Sequence, residues 1–316
     1  MRESTIHPAV AALSFDRPVT PAEVNRKSPA EVFATDAARL AADEFAVAVR
    51  LPHDHALWSD RRAPWHDTLT VVEAFRQALV LVRYRYLEVA AGTPSGVQQM
   101  EFAVGDPAVF RAAPGEPLEC VLIMRVTRSP IGDGLLDIAG ACTTPRGHGM
   151  TFSAGSVVMP RGVYDEIRAY QRSRKRPGDA GPVAAGRATA GPVDPAAVGR
   201  RDPRNVVVGR PAEVSGRYPL VVDRTHPSFF DKSYDHVPGT LLLEAARQSV
   251  LLAAAEAGPA AVTRCRLSFA TFVELDALCE CSVTVERGPR SVTGSVGFHQ
   301  YGERIAEGEL ELSRLE

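Results

Sequence analysis

The amino-acid sequence predicts an α+β fold that occurs twice in the chain, each time as an antiparallel sheet wrapped around one central apolar helix. Two observations support this prediction. In each half, short strand-like segments precede and follow one long helical segment. The halves also share a pattern, because residues 71–77 (VVEAFRQ) align without a gap with residues 242–248 (LLEAARQ). A repeat of this length indicates two copies of one fold unit rather than a short-period solenoid.

The repeat extends beyond the helix. At the same spacing His55 aligns with His226, and EVFATD (31–36) resembles NVVVGR (205–210) after a short gap. Both helices therefore carry an acidic, a basic and an amide side chain at matching positions. These are Glu73, Arg76 and Gln77 in the first copy and Glu244, Arg247 and Gln248 in the second.

The first half has two predicted strands ahead of its helix and four behind it. EVFATDA and EFAVAVRLP alternate apolar and polar residues and precede the helix TLTVVEAFRQALVLVRYRYLEV. VQQMEFAV, PLECVLIMRVTR, LLDIAGACTT and TFSAGSVVMP follow it. One apolar helix among short strands is the pattern of a sheet folded over a helix.

The second half repeats this order. NVVVGRPAEV and YPLVVD precede the helix TLLLEAARQSVLLAAAEAG, which we expect Gly258 and Pro259 to end. RCRLSFATFVEL, LCECSVTVERG, VTGSVGFHQYG and RIAEGELEL are the strand-like segments behind it.

A segment rich in Gly, Pro, Ala and Arg separates the two halves, and it shows no apolar period. That composition predicts a linker, and its opening basic cluster, RSRKR, is interpreted as solvated. The predicted organisation is an N-terminal repeat at 1–171, a linker at 172–204 and a C-terminal repeat at 205–316.

Composition narrows the classes of function. The 36 basic and 38 acidic residues nearly balance, which argues against a nucleic-acid partner. No apolar run reaches the roughly 18 residues of a membrane span, and we find no signal-peptide pattern. Five cysteines, few and odd in number, fit a reduced, cytoplasmic protein. Neither Cys279 with Cys281 nor His53 with His55 has a clear further ligand, so we expect no metal and no cofactor.

The polar triplet of the second helix raises the question of chemistry. Glu244, Arg247 and Gln248 share one face of a helix that is otherwise apolar. A carboxylate there is costly unless it is paired or faces a cavity. Two interpretations stay open: a self-satisfied Glu–Arg pair, or a polar cleft in which Glu244 acts as an acid or base.

The start of this helix is a second candidate element. Pro238 and Gly239 open the helix, and the backbone N–H groups of Gly239 and Thr240 are expected to face an oxyanion or a thioester carbonyl. A simple helix-start turn is the alternative. The first copy has Asp67 and Thr68 at these positions, so we expect one working site, built mainly around Glu244.

These residues resemble a known family. HPSFFDKSYDHVPGTLLLEAARQ (226–248), HDTLTVVEAFRQA (66–78) and SPAEVFATDA (28–37) are similar to motifs of the A-factor biosynthesis hotdog family, the γ-butyrolactone synthases. The resemblance spans both halves and omits the linker. It implies a tandem hotdog fold and an acyltransferase. The implied reaction moves a β-ketoacyl chain from an acyl carrier protein to dihydroxyacetone phosphate, giving the precursor of a lactone, butenolide or furan signal of secondary metabolism.

The resemblance also implies site residues. The family's two glutamates and one arginine match Glu73, Glu244 and Arg247, which we expect to be catalytic. Burial is expected to raise the pKa of Glu244 towards that of a general base, and Arg247 offers a bidentate fork for phosphate. We expect the substrate to be bound by Gly239, Thr240, His226, Gln248 and Arg76.

One departure weakens the likeness to the dehydratases of this fold. Their catalytic histidine would fall on Phe230 in the second half and on Ser59 in the first. His226 and His55 recur in both copies, as structural or substrate-binding groups. Two other functions stay open: a hotdog acyl-thioesterase, and a non-catalytic regulator that binds a small ligand.

Overall fold

The computed structural model describes residues 7–60, 64–113, 115–175, 191–211, 216–255 and 260–314. They fall into two compact units. The first gathers the described residues within 1–59, 64–95 and 103–158, and the second those within 60–63, 96–102 and 159–316. The helices are α1 (Pro8–Ala11), α2 (Thr68–Tyr86), α3 (Arg161–Arg174) and α4 (Gly239–Ala254). The strands are β1 (Ala34–Arg39), β2 (Glu44–Leu51), β3 (Ser95–Val104), β4 (Leu118–Arg128), β5 (Leu135–Thr144), β6 (Gly147–Val158), β7 (Arg217–Pro219), β8 (Ala260–Phe269), β9 (Glu280–Arg287), β10 (Ser291–Gln300) and β11 (Glu303–Arg314).

The first unit is an antiparallel sheet packed on α2. Its strands lie in the order β1-β2-β4-β5-β6. The Phe75 ring of α2 stacks on Phe152 of β6 with 4.8 Å between centroids. On β5, a Cβ added to Gly140 would lie 2.8 Å from the Phe75 ring. A glycine is therefore needed where the helix crosses this strand.

The second unit repeats this arrangement around α4, with strands in the order β3-β8-β11-β10-β9-β7. β10 pairs antiparallel with both β9 and β11. Val250 of α4 lies over Gly294 of β10, where an added Cβ would come within 2.3 Å of the valine Cγ2. Both units therefore have the predicted α+β architecture, with one buried helix against an antiparallel sheet.

The structure departs from the predicted elements ahead of α4. NVVVGRPAEV was expected to be a strand, but its described part makes only isolated bridges, such as Val208 to Leu220. Strand β7 has three residues, so it is shorter than the strand predicted from YPLVVD. Pro211 and Pro219 explain part of this difference, because proline cannot donate a hydrogen bond to a strand ladder.

Residues 191–205 lie mostly in the segment predicted as a linker. They form two 3₁₀ turns, Pro195–Val198 and Pro203–Asn205, within the second unit. The earlier part of the predicted linker, 176–190, lies outside the described residues. The repeat boundaries at 171 and 205 stay a prediction.

Helix α3 is absent from the sequence-based prediction. Its Arg168 is buried and donates two hydrogen bonds of 2.8 Å to the carboxylate of Glu274. The ammonium of Lys175 lies 2.9 Å from the same carboxylate, and only 6% of its side chain is exposed. The expectation of a solvated basic cluster is therefore wrong for Lys175. Arg172, with a side chain 56% exposed, also reaches Glu274.

Two further features bear on the class of protein. No helix in the described ranges is long and apolar enough to cross a membrane. All five cysteines are buried free thiols. Burial raises the pKa of the Cys265 and Cys279 thiols far above the usual range, which leaves these sulfurs protonated at neutral pH.

Candidate functional site

Glu244 lies at the centre of a fully buried ionic cluster in the second unit. Arg200 approaches its carboxylate from the 3₁₀-turn segment, with Nε 3.1 Å from Oε1 and an ion-pair distance of 2.9 Å to Oε2. Arg247, one turn along α4, donates from Nε to Oε2 at 3.0 Å and from Nη2 to Oε1 at 2.5 Å. The Gln248 amide donates to Oε1. Two cations and one amide thus satisfy one carboxylate.

This environment decides the ionisation of Glu244. Burial by itself pushes the pKa of the carboxyl upward, but the positive charges of Arg200 and Arg247, together with hydrogen bonds from Arg247 and Gln248, outweigh it. The pKa is lowered to about 2. The prediction of a raised pKa is therefore wrong, because sequence reasoning counted the burial and one arginine but not the second. A carboxylate this acidic is a poor general base at neutral pH.

The first unit holds the same cluster around Glu73. Arg26 contacts Oε1 at 2.5 Å, Arg76 donates to both oxygens at 2.7 and 2.8 Å, and Gln77 donates to Oε1 at 2.8 Å. Burial by itself raises the pKa of Glu73, but the charges of Arg26 and Arg76 lower it by more than burial raises it. The net shift of the pKa is therefore strongly downward. The two copies differ in access: the side chain of Arg76 is 29% exposed, whereas that of Arg247 is 1% exposed.

Sequence reasoning missed Arg26 and Arg200, although the sequence carries a signal for them. PVTPAEVNR (18–26) and PVDPAAVGR (192–200) match at both prolines, both valines, the first alanine and the arginine. In each, a 3₁₀ turn ends at a residue in the left-handed conformation, Asn25 or Gly199, directly before the arginine. Residues 192–200 lie in the segment 172–204, whose composition predicted a linker, so their match to residues 18–26 was not used.

The glutamines tie each helix to this preceding segment. The Gln248 amide nitrogen donates to the Asn205 carbonyl at 2.7 Å, and its oxygen accepts from the Val207 N–H at 2.9 Å. Gln77 does the same with the Glu31 carbonyl, at 2.7 Å, and the Phe33 N–H, at 2.8 Å. Each glutamine completes a backbone hydrogen-bond pair, which favours a structural use over contact with substrate.

The recurring histidines also serve the local structure. His226 accepts from the N–H groups of Ser228 and Phe229, each at 3.2 Å, and its Nε2 lies 2.9 Å from the Asn205 side-chain oxygen. His55 likewise accepts from the backbone at Nδ1, and its Nε2 lies 3.3 Å from Glu31. Both rings are buried. The structure thus gives His226 a turn-stabilising role, while its predicted contact with substrate stays a prediction.

The helix start at Gly239 keeps the character predicted for it. Pro238 precedes α4 and supplies no side-chain cap. Among the described residues, no acceptor reaches the N–H of Gly239 or Thr240. Gly239 is exposed, and a Cβ added to it would meet nothing within 4 Å. In the first unit, Asp67 caps α2 by accepting from the Leu69 N–H, so the two helix starts differ as predicted.

Metal-ligating residues do not cluster in the part of the chain that the structure describes: it holds no group of three or more His, Cys, Asp or Glu placed to bind an ion.

Comparison with known proteins places this arrangement in a family. The sequence model of the A-factor biosynthesis hotdog domain matches residues 8–133 and 184–315. A 2-oxo-3-(phosphooxy)propyl 3-oxoalkanoate synthase of Streptomyces griseus is 32% identical over 284 residues, covering 89% of this chain and 91% of that protein. A synthase of the same name from Streptomyces coelicolor is 30% identical over 310 residues, covering 91% of this chain and 89% of that protein.

A solved structure supports the fold. The 12:0-ACP thioesterase from Umbellularia californica superposes with a TM-score of 0.51 at 14% identity, covering 85% of this chain and 96% of that one. At this identity the likeness concerns the fold alone. Together with the family match in both halves, it confirms the tandem hotdog fold, and the synthase relatives confirm an enzyme of transferase type.

Proposed function

Because the chain belongs to the A-factor biosynthesis hotdog family, we propose that it transfers a β-ketoacyl group from an acyl carrier protein thioester to dihydroxyacetone phosphate. The relatives' name describes such a product, an ester of a 3-oxo acid with a phosphorylated dihydroxyacetone. Cyclisation of this ester leads to a γ-butyrolactone, a butenolide or a furan, which we propose serves as a signal in secondary metabolism.

One observation supports an acyl-transfer site in the second unit: the uncapped start of α4. The N–H groups of Gly239 and Thr240 point along the helix axis, away from the helix body, at its positive dipole end. When the acceptor hydroxyl attacks the thioester, negative charge develops on the carbonyl oxygen. Backbone donors already in place stabilise that oxyanion without reorganising. The acidic cap of the first unit, Asp67, would repel the same oxyanion, so the proposal places one oxyanion site in the chain.

We assign the buried ionic cluster a supporting role. Glu244 and Arg247 anchor α4 about 7.5 Å and about 12 Å along the axis from Gly239, at 1.5 Å per residue. Arg200 and Gln248 join this stretch of α4 to the preceding segment. In the proposal, Glu244, Arg247 and Gln248 act by fixing the helix start in place, and Glu73 and Arg76 do the same for α2. The phosphate role suggested for Arg247 requires an access that its 1% exposure does not offer.

The carrier and the location complete the proposal. An acyl carrier protein is the source of β-ketoacyl chains that best matches this product, and we propose it as the partner. Five buried free thiols fit a reducing compartment, and we propose the cytoplasm. Acyl transfer to a hydroxyl requires no redox cofactor.

The test is a mass-spectrometric assay of the purified full-length chain with a β-ketoacyl carrier-protein thioester and dihydroxyacetone phosphate. We expect an acylated triose phosphate that forms with time and requires both substrates. Free β-keto acid in place of the ester would identify a thioesterase instead. A thioester left intact across several chain lengths would contradict an enzyme and favour a binding protein.

A further inference from the structure

The loop before α4 carries a second polar cluster that lies outside the Glu244 site. Asp235 and His236 occupy this loop, and His236 stands three residues ahead of Gly239. The His236 Nδ1 lies 2.7 Å from Asp235 Oδ1. A ring nitrogen this close to a carboxylate donates its hydrogen, which leaves the Nε2 lone pair of a neutral imidazole available as a base.

Helix α3 holds the carboxylate of this pair. The Tyr164 hydroxyl donates to both Asp235 oxygens at 2.8 and 3.0 Å, and the Arg168 Nε donates to Oδ2 at 3.1 Å. Arg168 also donates to the Asp235 backbone carbonyl at 2.9 Å. Because Arg168 is itself locked to Glu274 at 2.8 Å, Asp235 is fixed through both its side chain and its backbone.

The charges agree with this geometry. The hydrogen bond from His236 lowers the pKa of Asp235, burial opposes it, and bonds from Tyr164 and Arg168 lower it further, so the carboxyl stays ionised. Burial, and then the bond to Asp235, raise the pKa of Tyr164 far above its usual range, so the phenol remains a donor. The ionised Asp235 therefore faces the imidazole.

The imidazole itself is held but accessible. Its ring packs on Phe272 with 4.6 Å between centroids and edge-on to Tyr234 at 6.3 Å. On the Tyr234 ring, the Lys232 ammonium lies 5.1 Å from the centroid. The His236 side chain is 24% exposed, and no described residue makes a hydrogen bond to its Nε2. An oriented ring with an open nitrogen is the arrangement of a general base.

The first repeat has no counterpart. At the helix spacing, Pro64 and Trp65 take the places of Asp235 and His236. The neighbouring His66 is buried, and burial, followed by the charges of His53 and Arg146, lowers its pKa to about 4. The pair and the uncapped helix start therefore occur together, in the second repeat alone.

We propose that His236 is the general base of the acyl transfer and that Asp235 is its positioning residue, an inference that rests on the proposed function. Glu244, by contrast, is fully buried, and its carboxylate is bonded to Arg200, Arg247 and Gln248. His236 supplies the proton acceptor that the buried carboxylate cannot.

The step balances without any further reagent. His236 Nε2 removes the proton from the primary hydroxyl of dihydroxyacetone phosphate as its oxygen bonds to the thioester carbonyl carbon. The C–S bond then breaks while the carbonyl re-forms, and the imidazolium returns the proton to the departing thiolate. The products are the ester and the free thiol of the carrier. Asp235 stabilises the transient imidazolium and keeps its Nδ1–H in place.

The experiment measures kcat and KM for ester formation by the full-length wild type, His236→Asn, Asp235→Asn and a control, His299→Asn. The asparagine amide can replace the Nδ1–H donor but not Nε2. His299 is half-buried in the same unit, with its Nε2 3.0 Å from the Ser282 hydroxyl, and takes no part in the proposed step. We expect kcat of His236→Asn to fall by about 10² to 10⁴, with KM nearly unchanged, and His299→Asn to match wild type.

Two further readouts separate catalysis from a structural role. Activity of His236→Ala should rise with the concentration of added imidazole, because the His236 side chain is partly exposed and imidazole can enter the space it leaves. Asp235→Asn should lower kcat and change the pH profile, since the oriented tautomer and the counter-charge are lost. If the variants fail to fold, the pH profile of the wild-type enzyme provides the test. A wild-type rate of ester formation that is flat from about pH 5 to 8, where histidines change charge, overturns the inference.

The outcomes separate this inference from the proposed function. Ester formation by His236→Asn at the wild-type rate overturns the role of His236 and leaves the acyl transfer standing. A wild type that only hydrolyses the thioester, with hydrolysis lost in His236→Asn, supports the base but contradicts the acceptor. A wild type that leaves the thioester intact contradicts both.

Discussion

Arg200 and Glu244 form an ion pair of 2.9 Å in which both side chains are fully buried. They lie 44 residues apart in the chain, and Arg26 and Glu73 form the equivalent pair in the first unit. Each pair joins a 3₁₀-turn segment to the buried helix that follows it. This relationship explains why both helices tolerate a carboxylate in an apolar face.

Removing one partner of such a pair leaves an uncompensated buried charge. We expect Arg200→Ala to lower the free energy of unfolding by about 3–5 kcal/mol. Urea denaturation of the purified variant measures this change. Arg201→Ala is the control, because its exposed side chain lies next in the chain and its backbone bond to Asp60 is kept. Equal midpoints for the two variants would contradict a structural role for Arg200.

The ionisation of Glu244 predicts a pH dependence of stability. Its pKa is lowered from 4.5 to about 2 on folding, so the unfolded chain takes up the proton first as pH falls. The carboxylate therefore stabilises the fold fully above pH 4.5, and this contribution, on the order of 3 kcal/mol, is lost as pH falls to 2. We expect the stability gap between wild type and Glu244→Gln to be widest near pH 6 and to shrink below pH 4.

Thermal melts across that pH range test the sign. Glu309→Gln serves as the control, since Glu309 is an exposed residue of β11. A gap that widens on acidification would mean that folding raises the pKa of Glu244, as burial alone would dictate.

The helix start offers a test that spares the fold. Gly239 is the first residue of α4, where proline is favoured because the N–H has no partner within the helix. Pro238 already has the extended conformation required before a proline, with ψ of 141°. Gly239→Pro should therefore remove one oxyanion donor and lower kcat by about 10² to 10³.

Gly239→Ala is the matched control, because it keeps the N–H and its Cβ meets open space. We expect it to retain its kcat. Similar losses in both variants would show that the loss comes from the shape of the turn and not from the donor.

The close approach of α4 to its sheet predicts a compensating pair of substitutions. Gly294→Ala places a Cβ within 2.3 Å of the Val250 Cγ2, so we expect it to cost about 1–3 kcal/mol. Val250→Ala removes both clashing methyl groups, and the Cβ that remains at position 250 lies 3.1 Å from the Cβ added at Gly294. The double variant should recover part of the loss from Gly294→Ala. Additive losses in denaturant melts would contradict the contact.

The amino-acid sequence by itself determined the two repeats, the two buried helices with their Glu, Arg and Gln faces, and most strands behind each helix. These features are local: the apolar period of a segment shows whether it is a helix or a strand and which face is buried. The contrast between Pro238-Gly239 and Asp67-Thr68 was visible for the same reason, since a cap depends on a few adjacent residues.

Only the tertiary structure decided which groups meet. Arg200 lies in a segment whose composition indicates a linker, yet chain folding brings it to Glu244 and reverses the expected pKa shift. α3 is a polar helix with only Tyr164 and Arg168 buried, and its docking fixes Asp235 beside His236. Ionisation depends on the distances between charges, and those distances are settled by contacts between residues far apart in the chain.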